Sequence, residues 1–82
     1  MLYLYSKENC PQCLQLESLL KVKAKSPYKV LKLDKDYTRE SLSDMCLELG
    51  FVMPRSFPIL FNETALVGTL VEAKMAVARG EL

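Results

Sequence analysis

Two cysteines separated by a proline and a glutamine, Cys10-Pro11-Gln12-Cys13, stand where one hydrophobic pattern stops and another starts, and no other feature narrows the possible folds as much. Before them Leu2-Tyr3-Leu4-Tyr5 is an aromatic and aliphatic run that reads as a buried strand, ended by the polar loop Ser6-Lys7-Glu8-Asn9. After them Leu16, Leu19, Leu20 and Ala24 recur at three- and four-residue spacing, as one helix face requires, until Ser26-Pro27 stops the pattern. Pro11 suits the first helical position, because its missing N–H would be unpaired there and its φ is already helical. Cys10 is therefore the expected N-cap. Its sulfur then faces the free N–H groups of Gln12 and Cys13 and the positive end of the helix dipole, which favour thiolate over thiol. Lys7, three residues upstream, adds a positive charge. Cys13 lies one turn in on the same face, close enough to attack a mixed disulfide formed at Cys10 and release the reduced substrate.

The rest of the chain continues the alternation of strand and helix. Tyr28 to Leu33 is strand-like, with Tyr28, Val30 and Leu31/Leu33 set against Lys29 and Lys32. After the polar link Asp34 to Tyr37, Leu42, Met45, Cys46 and Leu49 fall at i, i+3, i+4 and i+7, and Gly50 sits where a helix C′ residue belongs. Phe51 to Phe57 leads to Pro58 and the apolar Ile59-Leu60-Phe61, and Asn62-Glu63 is expected to reverse the chain into Thr64 to Val67 as a β-hairpin. From Thr69 a third helix is expected, with Leu70, Ala73, Ala76 and Val77 on one side and an end near Gly80. Thr69-Leu70-Val71-Glu72 reads as a capping box at its start. The order is β-α-β-α-β-β-α. A right-handed parallel crossover followed by an antiparallel pair makes the sheet mixed, with helices on both faces.

No linker, repeat or low-complexity stretch divides the 82 residues, so residues 1–82 are expected to form one domain. A chain this short buries only roughly 60–65% of the surface its unfolded form exposes, and half of its residues are apolar, enough for an economical core. Eleven Lys plus Arg against ten Asp plus Glu leave a formal net charge of +1, which gives no broad electrostatic case for nucleic acid or an anionic membrane. The apolar runs are too short to span a bilayer, and the polar Ser6 to Asn9 interrupts any secretory leader. Three cysteines do not make a secreted disulfide framework, so a reducing cytoplasm is the expected compartment, where a close pair is more often catalytic or metal-binding than structural. Zinc needs four ligands. With no histidine and only Cys46 beyond the pair, one chain cannot supply a usual structural set, and only a metal shared between chains remains open. Cys46 falls on the apolar stripe of the second helix, where a free cysteine acts as a small hydrophobe.

At these residues the sequence resembles the dithiol glutaredoxins. Tyr5-Ser6-Lys7-Glu8-Asn9-Cys10-Pro11-Gln12-Cys13 resembles their opening strand and active site, Phe57-Pro58-Ile59-Leu60-Phe61 their proline-led third strand, and Val67-Gly68 the start of their glycine turn. The resemblance implies a thioredoxin-like fold with a four-stranded mixed sheet flanked by three helices, and a cis proline at Pro58 lying against the dithiol. A cis X-Pro bond removes a donor and turns the chain, leaving the N–H and C=O of Phe57 to pair with the backbone beside a substrate cysteine. By the same resemblance Lys7, Pro11, Gln12, Phe57, Pro58, Gly68 and Thr69 form the substrate and glutathione site. Three positions depart from the family pattern. Gln12 stands where Tyr is frequent and Phe57 where a smaller Val is usual. Gly68-Thr69-Leu70-Val71 aligns with a Gly-Gly-x-Asp pattern that holds the γ-glutamyl end of glutathione, and a valine at position 71 cannot take the Asp role.

The leading expectation is a monomeric enzyme without a bound cofactor, in which Cys10 attacks protein or glutathione mixed disulfides, Cys13 resolves them, and glutathione restores the pair. Its Cys-x-Gln-Cys motif also resembles the glutaredoxin-like electron donors of ribonucleotide reductase, which thioredoxin reductase recharges. Two readings of another kind are a cysteine-bridged metal or iron–sulfur dimer and a binding module that docks a partner through Phe57 without turnover. The second leaves the placement of both cysteines at a helix start unexplained.

Overall fold

A computed structural model describes residues 1–82. Its elements are β1 (Leu2–Ser6), α1 (Pro11–Lys23), β2 (Tyr28–Lys32), α2 (Arg39–Leu49), β3 (Ile59–Asn62), β4 (Ala65–Gly68) and α3 (Leu70–Ala78), in the order expected from the sequence. The four strands form one mixed sheet in the spatial order β2-β1-β3-β4. β1 runs parallel to β2, with Leu2 opposite Tyr28, and antiparallel to β3, with Leu2 opposite Asn62.

The alternation of β1 divides its side chains between two cores. Leu2 and Leu4 are fully buried on one side of the sheet, where Leu16 and Leu20 of α1, Leu60 of β3 and Ala73 and Ala76 of α3 join them. The two alanines let α3 pack close, and each buried leucine contributes roughly 1.5–3 kcal/mol of hydrophobic stabilisation. Tyr3 and Tyr5 point to the other side, against Leu42 and Cys46 of α2, with Ile59, Phe61 and both cysteines of the motif. The dithiol thus sits at the edge of the second core, where α1 begins and α2 passes.

Local signals account for the helix ends. Gly50 ends α2 in a left-handed conformation, φ 82°, which costs a glycine nothing. Thr38 caps the start of α2 by accepting the Ser41 N–H at 3.1 Å, while Ser41 Oγ accepts the Thr38 N–H at 2.9 Å. The hairpin differs from expectation by one residue. The reversal is at Glu63-Thr64, not Asn62-Glu63, and β4 runs from Ala65 to Gly68. Asn62 is kept in β3 by its pairing with Leu2, and Glu63, φ 54°, donates its N–H to the Met1 carbonyl at 3.0 Å while its carboxylate pairs with the Met1 ammonium. The turn is therefore fixed by a contact with the far end of the chain, which no local pattern reveals.

Candidate active site

Cys10 has extended backbone, φ −124° and ψ 95°, and caps α1, with Pro11 as the first helical residue. Asn9 before it takes a left-handed φ of 53°, which asparagine tolerates better than most side chains. The Cys13 N–H donates to Cys10 Sγ at 3.1 Å, and the Leu14 N–H donates to the Cys10 carbonyl at 3.2 Å. Cys10 and Cys13 are joined as a disulfide, their Cα atoms 5.2 Å apart. The same cap that holds the disulfide would hold a Cys10 thiolate, because one backbone donor and the helix dipole already point at that sulfur. Both cysteines are enclosed, Cys10 at 7% exposure and Cys13 at 1%, so the small opening over Cys10 is the only difference in access between them.

That opening belongs to a cleft of about 320 Å³. Lys7, Cys10, Pro11, Gln12 and Phe57, all singled out in the sequence, line it. Asn9, Arg39, Arg55 and Ser56 line it as well and were not singled out. Lys7 Nζ lies 5.7 Å and Arg39 Cζ 5.4 Å from the centre of the Phe57 ring, within cation–π range. The Phe57–Pro58 peptide is cis, and neither the N–H nor the C=O of Phe57 pairs with another backbone group. Pro58 is buried and leads directly into β3.

Gly68 and Thr69 line no part of this cleft. They join β4 to α3, and Glu72 folds back over them, its Oε1 accepting the Thr69 N–H and the Thr69 hydroxyl at 3.1 Å each. Gly68 makes room for this: a Cβ there would come within 2.7 Å of the Glu72 side chain. The Thr69 N–H, and next the Thr69 hydroxyl, hold the Glu72 carboxyl below its usual range. Val71 is 62% exposed beside it. A larger hollow of about 400 Å³ between β4 and α3 contains none of the cysteines. Cys46 is fully buried against the dithiol side of the sheet, and burial pushes its thiol up. No group of three or more His, Cys, Asp and Glu side chains within the chain is placed to hold a metal ion. No helix is long and apolar enough to cross a membrane.

Neither a protein-family model nor a curated protein sequence matches the chain. Solved structures do. The crystal structure of a wheat glutaredoxin superposes with a TM-score of 0.74 at 24% identity, covering 99% of this chain and 76% of that one. Glutaredoxin 1 from Francisella tularensis, complexed with cacodylate, gives 0.72 at 19% identity over 95% of this chain and 92% of its own. A buckwheat glutaredoxin–glutathione complex gives 0.72 at 20% identity over 99% and 71%. The fold is the thioredoxin-like fold of the glutaredoxins, with a close cysteine pair at the start of α1.

Proposed function

We propose that this chain is a dithiol thiol-disulfide oxidoreductase that works as glutaredoxins do, reducing protein or glutathione mixed disulfides. The observation that carries the proposal is the Cys10–Cys13 disulfide at the capped start of α1, opening onto a cleft with three cations. In this reading the Cys10 thiolate attacks one sulfur of the substrate disulfide, forming a mixed disulfide and expelling the first substrate thiolate. Cys13 then loses its proton, attacks Cys10 Sγ, and expels the second. Two electrons and two protons pass to the substrate, and the chain is left as the Cys10–Cys13 disulfide. Two molecules of glutathione, leaving as glutathione disulfide, restore the dithiol.

Lys7, Pro11, Gln12, Phe57 and Pro58 are the residues proposed to hold the substrate beside Cys10, with the unpaired main chain of Phe57 available to a peptide backbone. Gly68 and Thr69 are proposed for the far end of glutathione. One observation favours a second reductant: the Glu72 carboxylate already takes the Thr69 donors that an incoming carboxylate would use. A thioredoxin reductase, acting on a donor to proteins such as ribonucleotide reductase in the cytoplasm, would need no such subsite. The test is turnover of hydroxyethyl disulfide with glutathione and its reductase, beside turnover with thioredoxin reductase. Activity with at least one, lost in Cys10→Ser, is the expected result; no turnover with either refutes the proposal.

A further inference from the structure

Lys7, Arg39 and Arg55 line the cleft over Cys10, and no carboxylate lines it. None of the three is paired: the molecule's salt bridges are the Met1 ammonium with Glu63 and Arg79 with Glu81. Glu8 and Glu40, the sequence neighbours of Lys7 and Arg39, are exposed and stay out of the cleft. On a chain with a formal net charge of +1, three unpaired cations in one small concavity are a local excess, and a cleft lined by one sign of charge concentrates ligands of the other sign. The unpaired Phe57 backbone groups beside the cleft suit an extended polypeptide. Free glutathione fits only in part, since it brings an ammonium as well as carboxylates, and at the α3 start the Glu72 carboxylate opposes its second acid.

We infer that the disulfides this chain reduces belong to polypeptides with acidic residues next to the reacting cysteine, and that Arg55 and Arg39 select them. The inference rests on the oxidoreductase reading above. Carboxylates flanking the substrate cysteine approach the three cations as Cys10 Sγ attacks its sulfur, so encounter is faster and better oriented. The exchange itself is unchanged: two electrons and two protons go to the substrate disulfide, Cys10 and Cys13 become the disulfide, and an external thiol restores them.

The test uses the whole reduced chain and acetylated, amidated peptides carrying one cysteine disulfide-linked to 2-mercaptoethanol. The cysteine is flanked by glutamates, glutamines or lysines, and each rate is divided by that of dithiothreitol with the same peptide, which removes intrinsic differences between the disulfides. At low salt the glutamate peptide is expected to react on the order of tenfold faster than the glutamine one and the lysine peptide slowest, with the ordering shrinking as ionic strength rises. Arg55→Gln and Arg39→Gln should each lower the glutamate-to-glutamine ratio several-fold. Lys74→Gln, an equal charge change on exposed α3, should leave that ratio unaltered. Using a ratio cancels any change in Cys10 reactivity. A ratio near one at low salt, or one that survives both arginine substitutions, overturns the inference and leaves the oxidoreductase reading standing. Failure to reduce any of the three peptides overturns both.

Discussion

Val71→Asp isolates the question of how much glutathione matters to this chain. Val71 is the second residue of α3, two before the buried Ala73 and next to Glu72, and is 62% exposed. In the glutaredoxin pattern an acid at this position takes the ammonium of the γ-glutamyl end. A charge-assisted hydrogen bond of that kind is worth roughly 1.5–3 kcal/mol when well sheltered. At an exposed helix start water screens most of it, so about 1 kcal/mol is the better figure, or roughly a fivefold gain in affinity. Glu72→Gln works on the same spot by another route. The amide oxygen can still accept the Thr69 N–H, but the charge that repels an incoming carboxylate is gone. The assay is the apparent KM for glutathione in coupled turnover, with alkylation of Cys10 by iodoacetamide as the control. Val71→Asp should lower that KM and the double change lower it further, while alkylation is unaltered, because the helix that caps Cys10 is α1. A flat response to Val71→Asp, or a wild type that already saturates at low glutathione, refutes the reasoning.

Three other outcomes are expected. Cys10→Ser should abolish turnover and Cys13→Ser should trap a mixed disulfide at Cys10; pH-dependent alkylation of the reduced chain should label Cys10 first, since Cys46 is enclosed with its thiol pushed up by burial. In the oxidised protein Cys46 also predicts alkaline lability. Its pKa is raised in the folded state, so its contribution is intact below the unfolded value of about 8.5 and is lost as pH rises, by up to about 1.4 kcal/mol per pH unit. Urea titrations at pH 8 and 9.5 should show the decline, and Cys46→Ala should flatten it. Tyr37→Phe removes the hydrogen bond from the Tyr37 hydroxyl to the Ser6 carbonyl, 2.7 Å, which also accepts the Leu33 N–H, so a loss of about 0.5–1.5 kcal/mol is expected in urea unfolding.

The parts of the fold that were legible in the sequence are those where a residue constrains its own neighbourhood. Pro11 marks the start of α1, Gly50 the end of α2, and Leu42, Met45, Cys46 and Leu49 the face of α2 that meets the sheet, because helix geometry makes each signal local. The capping box at Thr69 was legible for the same reason, and Glu72 does reach back to the Thr69 N–H. The hairpin was misplaced by one residue because its position depends on Met1 meeting Glu63 across the sheet. The Thr38–Ser41 cap is not legible as a capping box in the sequence, because a serine stands where the usual pattern has Glu or Gln.

The cations over the dithiol were the harder case, and the reason bears on function. Lys7 is close to Cys10 in sequence and was legible from that alone. Arg39 and Arg55 stand 29 and 45 residues away, on α2 and on the irregular segment before Pro58, and meet at the cleft only in the folded chain. One clue was available. Arg39 is the first residue of α2, where the helix dipole disfavours a cation and an acid is the stabilising choice. Neither arginine forms a salt bridge, and three like charges around one small cleft repel each other. Beyond the contacts of Lys7 and Arg39 with the Phe57 ring, folding gains little from this arrangement, since Arg39 opposes its own helix and no carboxylate compensates the group. A charge placed against local preference and left unpaired beside a reactive sulfur is accounted for by an anion that arrives from outside, which makes the approach of the substrate, and not the stability of the chain, the physical reason for Arg39 and Arg55.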